Sequence, residues 1–184
     1  KIKKVFLEEF ATTNGRLISD TQTAYVLALA FDMFPASLRQ QAADRLVKNI
    51  KSYGTHLTTG FLGTPYLCHV LSENGYNDVA VELLLQKTYP SWLYPITQGA
   101  TTIWERWNSW TKEDGFGDVG MNSFNHYAFG AVYEWMMESP AESTKVDSNG
   151  IPNGWKLRSC GSFFRPQGSI GTKLSCSGAL EDLR

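Results

Sequence analysis

Thr21-Gln22-Thr23-Ala24-Tyr25-Val26-Leu27-Ala28-Leu29-Ala30-Phe31-Asp32-Met33-Phe34 leads directly into Pro35-Ala36-Ser37-Leu38-Arg39-Gln40-Gln41-Ala42-Ala43-Asp44-Arg45-Leu46-Val47-Lys48-Asn49-Ile50. The first half is apolar nearly all round from Ala24 to Phe31, the mark of a buried helix. Pro35 opens a second helix of a different kind. Leu38, Ala42, Leu46 and Ile50 recur every four residues, with Ala43 and Val47 beside them. Arg39, Gln40, Asp44, Arg45 and Lys48 occupy the opposite face, so this helix meets solvent. A buried helix joined to a half-exposed one is the unit from which concentric helical hairpins are built.

The same alternation extends outward. A helix over about 2–10 carries Ile2, Val5, Phe6 and Phe10, and Thr13-Asn14-Gly15 ends it. Downstream, Thr64 is placed to cap a helix, Pro65 suits its first position and Gly75 the left-handed residue after its end. Another spans about Asn77 to Lys87. Pro90 and Pro95 hold the next stretch open, a marginal helix is expected near 100–109, and a last one over about 122–138. No strand alternation stands out before residue 139. The pattern predicts an all-α domain over residues 1–138.

From Ser139 the composition shifts to six Gly and eight Ser in residues 139–184. The run Asp147-Ser148-Asn149-Gly150-Ile151-Pro152-Asn153-Gly154 is dense in turn formers. This tail reads as irregular or β-leaning, and no chemistry is visible in it. Cys160 and Cys176 could pair in an oxidising compartment, whereas Cys68 sits in an apolar helix and packs as a small hydrophobe.

The bulk numbers exclude several classes of function. With 17 basic and 18 acidic residues the net charge is −1, which offers no patch for nucleic acid or an anionic membrane. No apolar run is long enough to span a bilayer. The chain opens on Lys1 with no signal peptide, which suggests a cut or processed start, and no marker assigns a compartment. His56, His69 and His126 fall at no metal-ligand spacing, and no metal site or cofactor motif is found.

Three clusters could carry chemistry. Tyr89, Trp92, Tyr94, Trp104, Trp107 and Trp110 fall within 22 residues, in a stretch broken by Pro90, Pro95 and Gly99. Each aromatic taken singly is more often core; together, in loop, they suit the C–H faces of a sugar. Glu105 stands between Trp104 and Trp107. It reads equally as a solvated residue paired with Arg106 or Lys112, or as a carboxylate stripped of water by its neighbours and set for proton transfer. Asn122-Ser123-Phe124-Asn125-His126-Tyr127 opens the last helix. Its amides, hydroxyl and imidazole suit vicinal sugar hydroxyls, although a lone histidine commonly just satisfies a backbone group. The Gly/Thr-rich loop His56-Leu57-Thr58-Thr59-Gly60-Phe61-Leu62-Gly63-Thr64-Pro65, running into a capped helix, could line a cleft and lacks the ending of a phosphate loop.

Four strings, in order, closely resemble bacterial α-L-rhamnosidases: Ser19-Asp20-Thr21-Gln22-Thr23-Ala24-Tyr25; His56 through Leu67; Gly99-Ala100-Thr101-Thr102-Ile103-Trp104-Glu105-Arg106-Trp107; and Gly120 through Ala131. The resemblance covers roughly residues 1–138. It implies a partial (α/α)6 barrel of the six-hairpin glycosidase type, the C-terminal half of a catalytic barrel. It also implies inverting hydrolysis of terminal α-L-rhamnosides without metal or organic cofactor. Glu105 matches the family's general base and His126 a histidine that contacts rhamnose. Trp104 and Trp107 flank the base, and Phe61 joins them as an expected sugar-binding residue.

The departures carry equal weight. The family's general acid lies in an acid-rich motif upstream of the matched region, and nothing here corresponds to it. Asp20 is the tempting internal candidate, but its motif differs. The chain is therefore expected to need the missing N-terminal half of the barrel and to turn over little alone. The alternative is a non-catalytic carbohydrate-binding helical module. A ligand-free helical scaffold fits less well, because no fixed period repeats.

Overall fold

The computed structural model describes residues 1–138. Helices α1 (Ile2–Phe10), α2 (Gln22–Ala30), α3 (Ala36–Ser52), α4 (Thr64–Glu73) and α5 (Asn77–Leu85) follow one another, then the single turn α6 (Tyr94–Thr97). A two-stranded antiparallel hairpin comes next, β1 (Trp110–Thr111) and β2 (Gly115–Phe116), with Trp110 opposite Phe116. Two 3-10 turns, Val119–Met121 and Tyr127–Ala131, lead into α7 (Val132–Glu138).

The hairpins stack as the buried/half-exposed alternation requires. Helices α2, α4 and α7 lie side by side, with α3 backing α2 and α5 backing α4. The core is assembled from Tyr25, Val26 and Leu29 of α2, Leu46 and Ile50 of α3, Leu67 and Leu71 of α4, and Val79 and Leu83 of α5. Burying one such aliphatic side chain contributes about 1.5–3 kcal/mol.

Three helices stop by the same device, a left-handed residue that lets two amides turn back onto the last carbonyls. After α3, Gly54 (φ +67°) lets the Thr55 amide reach Ile50 O at 3.1 Å. After α4, Gly75 (φ +85°) lets the Tyr76 amide reach Leu71 O at 2.8 Å. After α2 the left-handed residue is Asp32 (φ +53°), and the Met33 amide reaches Ala28 O at 2.8 Å. A β-carbon makes that conformation costly, but the Asp32 carboxylate is engaged by Lys3 and lies 3.5 Å from Arg39. Arg39 also donates to Leu29 O (3.2 Å) and Asn74 Oδ1 (3.1 Å), placing one cation at the C-terminal ends of α2 and α4.

Four local expectations change. Residues 101–109 form turns, not helix, because their polar backbone atoms are used in pairing with residues 123–126. For the same reason the last helix begins at Val132, after a 3-10 turn, not near 122. The β1–β2 hairpin leaves no mark in the sequence pattern because two-residue strands are too short to show alternation. Thr64 is the first helical residue, capped by Gly63, and its hydroxyl bonds the Thr59 carbonyl at 3.1 Å. The tail 139–184 and the Cys160–Cys176 pairing lie outside the described residues. Among the described residues no helix is long and apolar enough to cross a membrane.

Candidate functional site

The motifs lie at the connections between elements: 19–25 enters α2, 56–67 enters α4, 99–107 follows α6, and 120–131 leads into α7. The last three contribute to the wall of a cleft of about 460 Å³ that includes Thr58, Phe61, Tyr89, Glu105, Trp107 and Phe129.

Glu105 is half-buried in that wall. Its amide donates to Ser123 O at 2.9 Å, and its Oε2 accepts the Ser123 amide at 2.8 Å. The His126 amide donates to Ile103 O at 2.8 Å, and the Thr102 hydroxyl donates to Phe124 O. Two loops are thereby zipped together with the carboxylate at the seam. The bond to Ser123 occupies Oε2, which leaves Oε1 for a water or ligand. A carboxylate fixed through one oxygen keeps its orientation. Among the described residues lining the cleft, Glu105 supplies the one carboxylate.

The aromatics divide by role. Trp107 stacks on Phe129 at 3.9 Å and meets Trp92 edge-on at 5.7 Å. Phe61 leans on Phe129 at 5.1 Å and stacks on His126 at 4.7 Å. Trp107, Phe129 and Phe61 thus form a continuous apolar wall beside the carboxylate. Trp104 is only 7% exposed, packs edge-on against Phe124 at 5.3 Å and lies outside the cleft wall. It supports the Glu105 loop from behind. His126 also lies behind the wall, sandwiched between Phe61 and Tyr127. Its Nδ1 accepts the Ala128 amide at 3.4 Å, capping the 3-10 turn, so the neutral ring offers Nε2–H as a donor. Phe129 was visible in the last motif but carried no sequence signal of a role; its position opposite Trp107 is a tertiary fact.

Asp20 is committed elsewhere. It adopts φ +46°, its Oδ1 accepts the Tyr25 hydroxyl at 2.6 Å, and Arg16 lies 3.4 Å from Oδ2. Burial, then the bond to Asp20, pushes the Tyr25 phenol above its ordinary value. Asp20 is not part of the cleft wall. The buried Cys68 thiol is pushed up to about 12 by desolvation, which makes it unreactive. Among the described residues no group of three or more His, Cys, Asp or Glu could hold a metal ion.

Comparison with known proteins agrees with this layout. The family model for the bacterial alpha-L-rhamnosidase 6 hairpin glycosidase domain matches residues 1–139. An alpha-L-rhamnosidase of Streptomyces avermitilis is 52% identical over 136 residues, covering 74% of this chain and 13% of that protein. One from Alteromonas sp. is 51% identical over 139 residues, 74% of this chain and 15% of that protein. The crystal structure of the S. avermitilis enzyme complexed with L-rhamnose superposes with a TM-score of 0.73 at 51% identity, covering 76% of this chain and 14% of that one. The chain thus spans about one seventh of the length of these relatives. Its helical hairpins are of the six-hairpin glycosidase type, and the chain belongs to the bacterial α-L-rhamnosidase family.

Proposed function

We propose that this chain forms the base-bearing side of an α-L-rhamnoside-hydrolysing site, with Glu105 as the general base of an inverting reaction. The observation that carries it is the Glu105 carboxylate held in the cleft wall by the Ser123 amide at 2.8 Å, beside the Trp107–Phe129–Phe61 surface. Glu105 takes a proton from water as the water oxygen attacks the anomeric carbon from the face opposite the leaving group. The glycosidic C–O bond breaks, and the departing oxygen takes a proton from a second carboxyl group. The sugar's C–H face lies on the aromatic wall, with the Thr58 hydroxyl as a donor to its hydroxyls, while His126 acts on the sugar through Phe61, on which it stacks.

The acid comes, on this reading, from residues outside 1–138, as part of the half-barrel that completes the cleft. Two observations support it. Glu105 is the one carboxylate among the described cleft residues. An apolar groove of about 440 Å³, lined by Phe6, Phe10, Leu27 and Phe31, lies open between α1 and α2 where another hairpin would pack.

The test uses a substrate that needs no acid. Fluoride leaves without protonation, so α-L-rhamnosyl fluoride isolates the base. The chain should release β-L-rhamnose first, read by proton NMR, and Glu105→Gln should lose that turnover. First formation of the α-anomer, or unchanged turnover in Glu105→Gln, would overturn the assignment. Rhamnose binding with no turnover of the fluoride would favour a non-catalytic carbohydrate-binding module.

A further inference from the structure

Gln22 is the first residue of α2 and is 1% exposed. An amide buried this fully is costly unless both its ends are bonded. Both are, and both bonds leave its own hairpin. Gln22 Nε2 donates to His56 O at 3.0 Å, and Gln22 Oε1 accepts the Thr58 amide at 2.7 Å. The side chain thus acts as a short strand edge laid against residues 56–58.

Those residues begin the loop that presents Thr58, Thr59 and Phe61 to the cleft. The far end of the loop is held separately. Thr59 and Thr64 share a hydroxyl contact at 2.8 Å, and Thr64 donates to Thr59 O at 3.1 Å. At Gly63 a β-carbon would meet Thr59 Cβ and Cγ2 at 3.0 Å, so the turn closes tightly there. With the far end closed, the near end sets where Phe61 falls, and Phe61 stacks at 4.7 Å on His126. A methionine or leucine would fill the same buried volume but could not hold two backbone groups. The amide at this position is explained by the loop, not by the core.

We infer that Gln22 is a positioning residue of the sugar cleft: it holds the 56–61 loop so that Phe61 stands between the cleft and His126. Its bearing on sugar binding rests on the reading of the cleft as a rhamnoside site.

The test compares Gln22→Met and Gln22→Glu with Val79→Ala, a core change in α5 that destabilises without touching the loop. Three readouts are taken on the full chain: Thr58 amide exchange, the His126 ring-proton shifts that report Phe61 stacking, and L-rhamnose titration. Gln22→Met should speed Thr58 exchange about tenfold beyond the control, move the His126 shifts and weaken rhamnose binding. Val79→Ala should leave the shifts and the rhamnose affinity unchanged. Gln22→Glu keeps the acceptor and loses the donor to His56 O, and should fall between; it also carries the comparison if Gln22→Met does not fold. Exchange, shifts and affinity matching the control would overturn the inference. A wild-type chain that binds no rhamnose would instead overturn the functional reading, while exchange and ring shifts still decide the clamp.

Discussion

The hairpin scaffold, α2 to α5, and the cleft segment, residues 99–126, are held by different kinds of bond. In the scaffold every helix stop is local. Ile50 closes on Thr55 and Leu71 on Tyr76, each five positions along the chain. In the cleft segment the decisive bonds are remote: the Ser123 amide to Glu105 Oε2 spans 18 positions, and Thr102 to Phe124 spans 22. The scaffold is therefore set by short-range pattern and side-chain burial. The cleft is set by the meeting of two loops that the scaffold brings together. It follows that scaffold changes should act on stability and cleft changes on ligand and turnover.

Glu105→Gln divides the regions most sharply. Turnover of rhamnosyl fluoride should fall by roughly 10²–10⁴-fold, while the urea midpoint stays at the wild-type value. A large loss of stability would mean that the Ser123–Glu105 seam is part of the fold. Next come two apolar truncations. Leu67→Ala, in a fully buried position of α4, should cost about 2–5 kcal/mol. Ile103→Ala, 43% exposed beside the cleft, should cost less than about 1 kcal/mol. Equal costs in chemical denaturation would show one cooperative unit in place of two.

Two glycines refine the contrast. Gly75 has φ +85° with open space around it, so Gly75→Ala should cost about 1 kcal/mol from backbone strain alone and leave rhamnose affinity intact. Gly63 has an ordinary φ but no room, so Gly63→Ala should push Thr59 and weaken rhamnose binding in calorimetry. The smallest effect belongs to Asp32. The hydrogen bond from Lys3, then the charge of that ammonium, holds its carboxyl below the ordinary 3.8. Its contribution is complete above that ordinary value and is lost as pH falls through the lower folded value. Asp32→Asn, which tolerates the left-handed backbone, should flatten the acid limb of the stability profile measured between about pH 5 and pH 2.

The scaffold was largely legible in the residues. The every-fourth-residue apolar row of α3, the all-round apolar run of α2 and the Pro65/Gly75 punctuation of α4 each stated a helix and its limits within a few positions. Residues 101–109 and 122–126 have a local composition that permits helix, and only the pairing of the two loops decides otherwise. The site was legible as motifs and not as geometry. Nothing local separates Trp107, which lines the cleft, from Trp104, which lies behind it, since both flank the same glutamate.

The chain's own residues determined the alternation of helices, their stops, and a set of sugar-suited groups carried in four ordered motifs. These follow from propensity, periodicity and capping, which act over a few residues. Only the tertiary structure decided that three of the motifs meet in one cleft, that Glu105 is bound through Oε2, and that Asp20 serves Tyr25 and not the cleft. Those outcomes depend on which distant backbone groups and buried faces meet. Such meetings are chosen by the whole core as it packs, not by any segment alone.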